Sequence, residues 1–289
     1  MSQNLRQIKS RISSTENTKK IMRAMEMVSV SKLRRIENSL KFSQNYFLKL
    51  DQLFRRLAGK KENREHPIFK GTANARRIVV CVFTSDTGLC GAYNNRILDL
   101  TRQFTGQLPS GKELQFVAIG KKGFKSLRQK EYPVLKSYLD LYGRFSGELA
   151  DRISSDLYNI FISGEEARVV LIYTRYKSAL KLEPVVEELI DLNTPTANPN
   201  ESSIEYIVEP DAGRIWEDLL PEYVRAKIRR AMLEAFMSEH SARIVAMKQA
   251  TDNAKELLET LVLLRNRIRQ YSITKEVIEI ISSSEALKG

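Results

Sequence analysis

MSQNLRQIKSRISSTENTKKIMRAMEMVSVSKLRRIENSLKFSQNYFLKLDQLFRRLA, residues 1–58, contains neither proline nor glycine. The first glycine is Gly59 and the first proline Pro67; at the other end the last proline is Pro221, and no glycine falls between Gly213 and the terminal Gly289. The backbone breakers are gathered in the middle, so both ends can run as continuous helix. In the first stretch Leu5, Ile8, Ile12, Thr15, Met22, Leu33, Ile36, Leu40, Phe47, Leu50, Phe54 and Leu57 fall on one series of three- and four-residue steps, the seam of a coiled coil. Lys19, Glu26 and Ser29 take seam positions while Ile21, Met25 and Val28 lie one place before the seam positions 22, 26 and 29, so the stripe is expected to rotate around the helix near residues 19–30.

The C-terminal stretch repeats the pattern with Leu233, Phe236, Met247, Ala250, Ala254, Leu257, Leu261, Leu264, Ile268, Tyr271 and Ile278, interrupted by His240, Arg243 and Lys275. Its last turns, Val277, Ile278, Ile280 and Ile281, are apolar on more than one face and call for burial on several sides or an apolar socket. Helices over 3–57 and 222–283 would be roughly 80 and 90 Å long at ~1.5 Å per residue. Two such helices can pair antiparallel. The expected fold class is therefore α/β, with a long antiparallel coiled coil of terminal helices (1–58 and 214–289) and a central Rossmann-like domain (59–213).

That middle segment alternates strand and helix patterns. Strands are expected at 77–85, 114–119, 134–137, 169–173, 183–190 and 204–208; helices at 93–104, after Gly120 through Gln129, and at 147–162; and a Pro/Asn-rich loop at 193–200. Such alternation implies a parallel or mixed sheet covered by helices. The turn TSDTGLCGAYNN, 84–95, follows the first strand, where open α/β sheets often take ligands. Asp86, Gly88 and Gly91 there suit an anion nest, a tight connection or a contact point for a partner.

No phosphate-binding loop motif is present. Two histidines, His66 and His240, lack metal spacing and read as structural or surface residues; Glu165 and Glu166 pair without an implied cleft; Cys81 reads as core. No catalytic residue, metal site or cofactor is expected. Two cysteines suit a reducing compartment. The N-terminus has no secretory core or transit signature, and no stretch is apolar enough to span a membrane. Net charge is +12, concentrated at the start: residues 1–58 carry 13 Lys/Arg against 4 Asp/Glu, a net of +9. A basic helix suits an acidic protein surface, nucleic acid, anionic lipid or plain solvation.

Four motifs now carry a resemblance. IKSRISSTENTKKIMRAMEMVSVSKLRR (8–35) resembles the N-terminal signature of F-type ATP synthase γ subunits, where an NT-x-K segment leads into ITKAM-x-MV and then SKLR; Met22 and Arg23 replace the usual Thr and Lys. TSDTGLCGAYN (84–94) resembles TSDRGLCG-x-x-N, with Thr87 for Arg. EHSARIVAMKQATDNA (239–254) resembles E-x-x-ARM-x-AM-x-x-ATDNA, and RQYSITKEVIEI (269–280) resembles RQ-x-x-ITKEL-x-EI, followed by Ser282, Ser283, Ser284 and Glu285 in place of a small Gly-Ala tail.

The resemblance implies a non-catalytic rotor that couples transmembrane proton flow to ATP turnover. It implies one copy per three α and three β subunits, with the ε subunit and the c-subunit ring of Fo as further partners, no nucleic acid, and membrane contact only through Fo. It places Met25, Arg243, Arg269, Gln270, Thr274 and Glu276 near the contact of shaft with hexamer, and the turn of Asp86, Gly88 and Gly91 at a partner contact. A regulatory cysteine pair of the plant type is not expected, which suggests a bacterial subunit at the cytoplasmic face of the plasma membrane. Two other readings are a basic coiled-coil nucleic-acid-binding protein and an α/β enzyme with a coiled-coil dimerisation module.

Overall fold

In a computed structural model of the chain, residues 2–59, 75–109, 111–163, 167–190 and 212–286 are described. The strand expected at 204–208, the loop at 193–200, His66, Glu165 and Glu166 lie outside them. The elements in chain order are α1 (Ser2–Gly59), β1 (Arg77–Phe83), α2 (Tyr93–Gly106), β2 (Glu113–Ile119), α3 (Lys121–Gln129), β3 (Val134–Tyr138), α4 (Gly147–Ser163), β4 (Ala167–Tyr176), β5 (Leu182–Glu188) and α5 (Ala212–Ala286). The chain forms two compact units, residues 29–243 and residues 1–28 with 244–289.

The larger unit is built on a five-stranded sheet of order β3-β2-β1-β4-β5. The first four strands are parallel and β5 runs antiparallel to β4. Strand side chains alternate between faces, and β1 shows the consequence. Val79, Cys81 and Phe83 join a core with α4 and with residues 33–58 of α1 and 215–237 of α5. Ile78, Val80 and Val82 join a second core with Tyr93 and Ile97 of α2 and Leu127 of α3. Both faces are covered, which is why the strand reads as a continuous β-branched run. Cys81 is fully buried in it, as expected.

In this unit α1 and α5 run antiparallel, joined by aromatic contacts. Phe54 stacks on Tyr223 at 4.2 Å and meets Trp216 edge-on at 5.4 Å, and Phe47 lies 5.8 Å from Tyr223. The helix expected to begin after Pro221 begins at Ala212 instead. Proline removes one backbone bond inside a helix, but Leu219, Leu220, Tyr223 and Val224 around it are all buried, so packing holds the turn together.

A half-buried charge network fastens α5 to the sheet. The Glu187 carboxylate accepts from Tyr173 at 2.7 Å, Arg230 at 2.5 Å and Arg175 at 3.1 Å, with Lys227 Nζ 3.3 Å away. Burial pushes the Glu187 pKa up, but Lys227, Arg230 and the Tyr173 hydroxyl outweigh it and hold it at about 2.

In the smaller unit Ile8 and Ile12 of α1 pack with Leu258, Leu261, Val262 and Ile268 of α5. Of the expected rotation of the α1 stripe only Met25 shows a trace, half-buried beside Glu26. Lys19 and Glu26 stay half-buried, while Ile21 and Val28 face outward, 60% and 55% exposed; Ser29, the first residue of the larger unit, is buried. The helix keeps its 3-and-4 register and tolerates polar seam residues, whose stems or small size suit the site. On α5 the expected seam does slip. Leu257, Leu264 and Tyr271 are exposed where Leu258, Arg265 and Ser272 turn inward, while Leu261 and Ile268 keep their expected places and Val262 and Asn266 are also half-buried.

Candidate functional site

β1 ends at Phe83, and the next residues turn sharply across the C-terminal edge of the sheet. Thr84 closes this turn from inside: its hydroxyl donates to Ile119 O at 3.0 Å and accepts from Gly123 N at 2.8 Å. Ser85 N donates to Asn94 Oδ1 at 2.9 Å, tying the turn to the first turn of α2. Leu89 and Gly91 both have positive φ, 62° and 57°, a conformation that glycine adopts at little cost.

Asp86 is buried and serves the chain itself. Its carboxylate accepts from the backbone N–H of Lys121 at 3.0 Å, Asp140 at 3.0 Å and Tyr142 at 2.7 Å. One of these is an otherwise unpaired amide at the start of α3. The other two hold residues 140–143, where Asp140, Tyr142 and Gly143 all have positive φ. The backbone amides that could have received an outside anion are thus occupied by Asp86.

α5 crosses the same edge. Parallel sheets of this order take ligands in the crevice beyond the strand ends, where strand order reverses between β1 and β4. Here residues 235–243 of α5 occupy that place. Tyr93 Oη donates to Ala235 O at 3.1 Å, Ser238 Oγ to Thr174 O at 3.0 Å, and Ser241 Oγ to Ala179 O at 3.0 Å. Arg243 then reaches the turn after β1. Its guanidinium donates to Thr87 Oγ1 at 3.2 Å and Gly88 O at 3.4 Å, and pairs with Glu239 at 2.8 Å. Burial raises the Glu239 pKa, opposed by Arg243.

His240 completes the clamp. Arg243 Nη1 lies 3.2 Å from His240 Nδ1, and a guanidinium can only donate. Nδ1 is therefore the acceptor, Nε2 carries the hydrogen, and Nε2 donates to Gly143 O at 3.0 Å. Burial chiefly, with the charges of Arg243 and Lys32, lowers the His240 pKa to about 4, against the bond to Gly143. A β-carbon on Gly143 would stand 2.5 Å from His240 Nε2, and the residue's φ is +62°, so only glycine fits.

The structure therefore joins Arg243 to Gly88 and to the turn that holds Asp86 and Gly91, all within one unit, with Arg243 and Asp86 buried, Gly88 half-buried and Gly91 exposed. The other expected contact residues lie apart from it, in the smaller unit. Met25 is half-buried on α1, while Arg269, Gln270, Thr274 and Glu276 are exposed on α5. Thr274 Oγ1 donates back to Gln270 O at 3.0 Å. Beyond them Ile278, Ile280 and Ile281 are 56%, 67% and 55% exposed. Glu239, His240 and Gly143 were not singled out as site residues in the sequence. His240 and Arg243 did show there as polar interruptions of the α5 seam, which was the available signal. Among the described residues no cluster of His, Cys, Asp or Glu fits a metal ion, and no helix is long and apolar enough to cross a membrane.

Comparison with known proteins covers nearly the whole chain. A family model described as ATP synthase matches residues 4–287. The ATP synthase gamma chain of Anaeromyxobacter sp. (strain Fw109-5) is 37% identical over 288 residues, covering 98% of this chain and 99% of that one. That of Geobacter sp. (strain M21) is 34% identical over 287 residues, covering 99% of both. Among solved structures, a chain of the Euglena gracilis mitochondrial ATP synthase OSCP/F1/c-ring assembly matches in fold with a TM-score of 0.69 at 16% identity, covering 99% of this chain and 95% of its own.

Proposed function

We propose a coupling role that proceeds from one premise: this chain belongs to the ATP synthase gamma chain family. As such it is the central-stalk rotor subunit of a membrane-associated complex, and it is not itself a catalyst; catalysis takes place in the β subunits. A nucleic-acid role had only the basic charge of α1 in its favour, which an acidic protein surface explains as well.

The exposed apolar end of α5 carries the mechanism. Ile273, Val277, Ile278, Ile280 and Ile281 are each about half or more exposed, and apolar surface of that extent on one helix end calls for a partner. This end turns within a hexamer of three α and three β subunits, one copy per hexamer. Arg269, Gln270, Thr274 and Glu276, with Met25 on α1, supply changing contacts just below it. Individually such exposed polar contacts are weak, about 1 kcal/mol or less. Weak contacts suit a surface that must release at every step. The shaft presents different faces to the three β subunits and shifts each site among its states by differential binding.

The α/β unit binds the ε subunit and the c-subunit ring, and the turn of Asp86, Gly88 and Gly91 belongs to its partner-facing edge. Arg243 acts from behind, tying α5 to that turn. The complex sits at the cytoplasmic face of a bacterial plasma membrane, and this chain touches the membrane only through Fo.

Reconstitution tests this reading. The purified chain is mixed with α and β subunits from the same source, then analysed by sizing and by ATPase assay. One copy should join each hexamer, and deletion of residues 270–289 should change the ATPase rate of the complex. Failure of folded subunits to associate would overturn it.

A further inference from the structure

Lys32 and Arg35 of α1 and Arg144 of the turn before α4 line one cavity of about 290 Å³, with Ser39 and Phe145 also in its wall. No carboxylate lines it. Among the described residues none of the three cations forms an ion pair; Lys32 Nζ instead donates to Tyr142 O at 2.9 Å. An ammonium has three donors, and this bond engages one while fixing the direction of the others.

The wall is prebuilt. The two amides of Asp140 and Tyr142 are held by Asp86, and the Gly143 carbonyl by His240. The site is only partly relieved electrostatically. Burial lowers the Lys32 pKa, and Arg144 and Arg243 lower it further, with only Glu239 opposing. A small pocket with three cations and no carboxylate in its lining, balanced only by Glu239 from behind the wall, favours an anion that brings its own acceptors.

We propose that this cavity binds a phosphate-class oxyanion, with Arg35 and Arg144 as guanidinium forks, Lys32 as the ammonium and Ser39 as a hydroxyl donor. Guanidinium groups match the tetrahedral oxyanion through paired donors, and charge-assisted bonds of this kind are the strong ones. The cavity is small for a whole nucleotide, so the ligand is free phosphate or the terminal phosphoryl group of a nucleotide whose remainder lies outside. The proposal does not depend on the rotor reading.

Titration calorimetry on the full-length chain separates the cases. Inorganic phosphate and then ADP are titrated at constant ionic strength maintained with sodium chloride. Saturable one-site binding is expected, weakened about tenfold or more in Arg144→Gln and in Arg35→Gln. Both residues are exposed, so the thermal unfolding of the ligand-free variants should match the parent. Phosphate bound as tightly as ADP identifies the free ion; tighter ADP identifies a nucleotide phosphoryl group. Absence of saturable binding, or equal affinity in both variants, would overturn the site. So would binding of poly-glutamate without binding of phosphate, which would make the cavity a protein contact.

Discussion

At the scale of single residues, the clamp around His240 makes a claim about pH. Its hydrogen bonds need a neutral ring, accepting at Nδ1 and donating at Nε2. The folded pKa of about 4 lies below the ordinary value of 6.5. Between those values the unfolded chain binds a proton that the folded chain does not, so stability rises with pH across that window. The contribution is fully present above 6.5 and is lost as pH falls toward 4, up to about 3 kcal/mol in all. Urea unfolding of parent and His240→Gln between pH 4.5 and 7 should show a flatter pH dependence in the variant, because glutamine offers a donor and an acceptor that do not titrate. Parallel curves would mean that His240 does not titrate on unfolding. The residue type alone could not reveal this. A histidine in an apolar stripe shows only as an interruption, and its pKa depends on Arg243 and on the distant Gly143.

Among the elements, periodicity and breaker placement located the strands and helices of the described residues to within a few positions, except the start of α5, which lies ten residues before the expected one. They did so because both faces of the sheet and most of each helix stripe are covered by a core, and cores enforce period. What escaped was register and context. Pro221 reads as a helix start but lies inside α5, where Leu220 and Val224 are buried on either side of it. The seam of α5 slips after Ala254, because Leu257 and Leu258 are equally apolar and only the partner helix chooses between them. The turn after β1 reads as a place for a ligand, and nothing local reveals that a helix more than 140 residues later fills it. The slipped seam is testable. Leu261 is 8% exposed and Leu257 is 49% exposed. Leu261→Ala should destabilise the smaller unit by about 2 kcal/mol, and Leu257→Ala by less than about 0.5. Amide hydrogen exchange across residues 250–270 reads the difference; an equal loss of protection would restore the unslipped seam.

For the whole molecule, charge and apolar surface divide the work of assembly. The net charge of +12 is concentrated on α1, whose Arg6, Lys9, Arg11, Lys20, Arg23 and Arg34 are all exposed. Charges in water act over about a Debye length, ~10 Å at 0.1 M salt, and steer encounter more than they hold a complex. The apolar end of α5 acts only on contact and is insensitive to added salt in that sense. Two rates should therefore respond to different changes. Raising salt from 50 to 500 mM should slow association of the chain with an α and β hexamer by about tenfold while leaving dissociation nearly unchanged. Replacing Ile278 and Ile281 by serine should speed dissociation and leave the salt dependence of association intact. Both residues are more than half exposed, so the substitutions remove no packing within the chain. Stopped-flow measurement of the two rates in both proteins checks this. If salt instead acted mainly on dissociation, the basic face of α1 would be part of the final interface rather than the guide to it. The serine variant would then dissociate like the parent only if α1, not the end of α5, held the shaft in place.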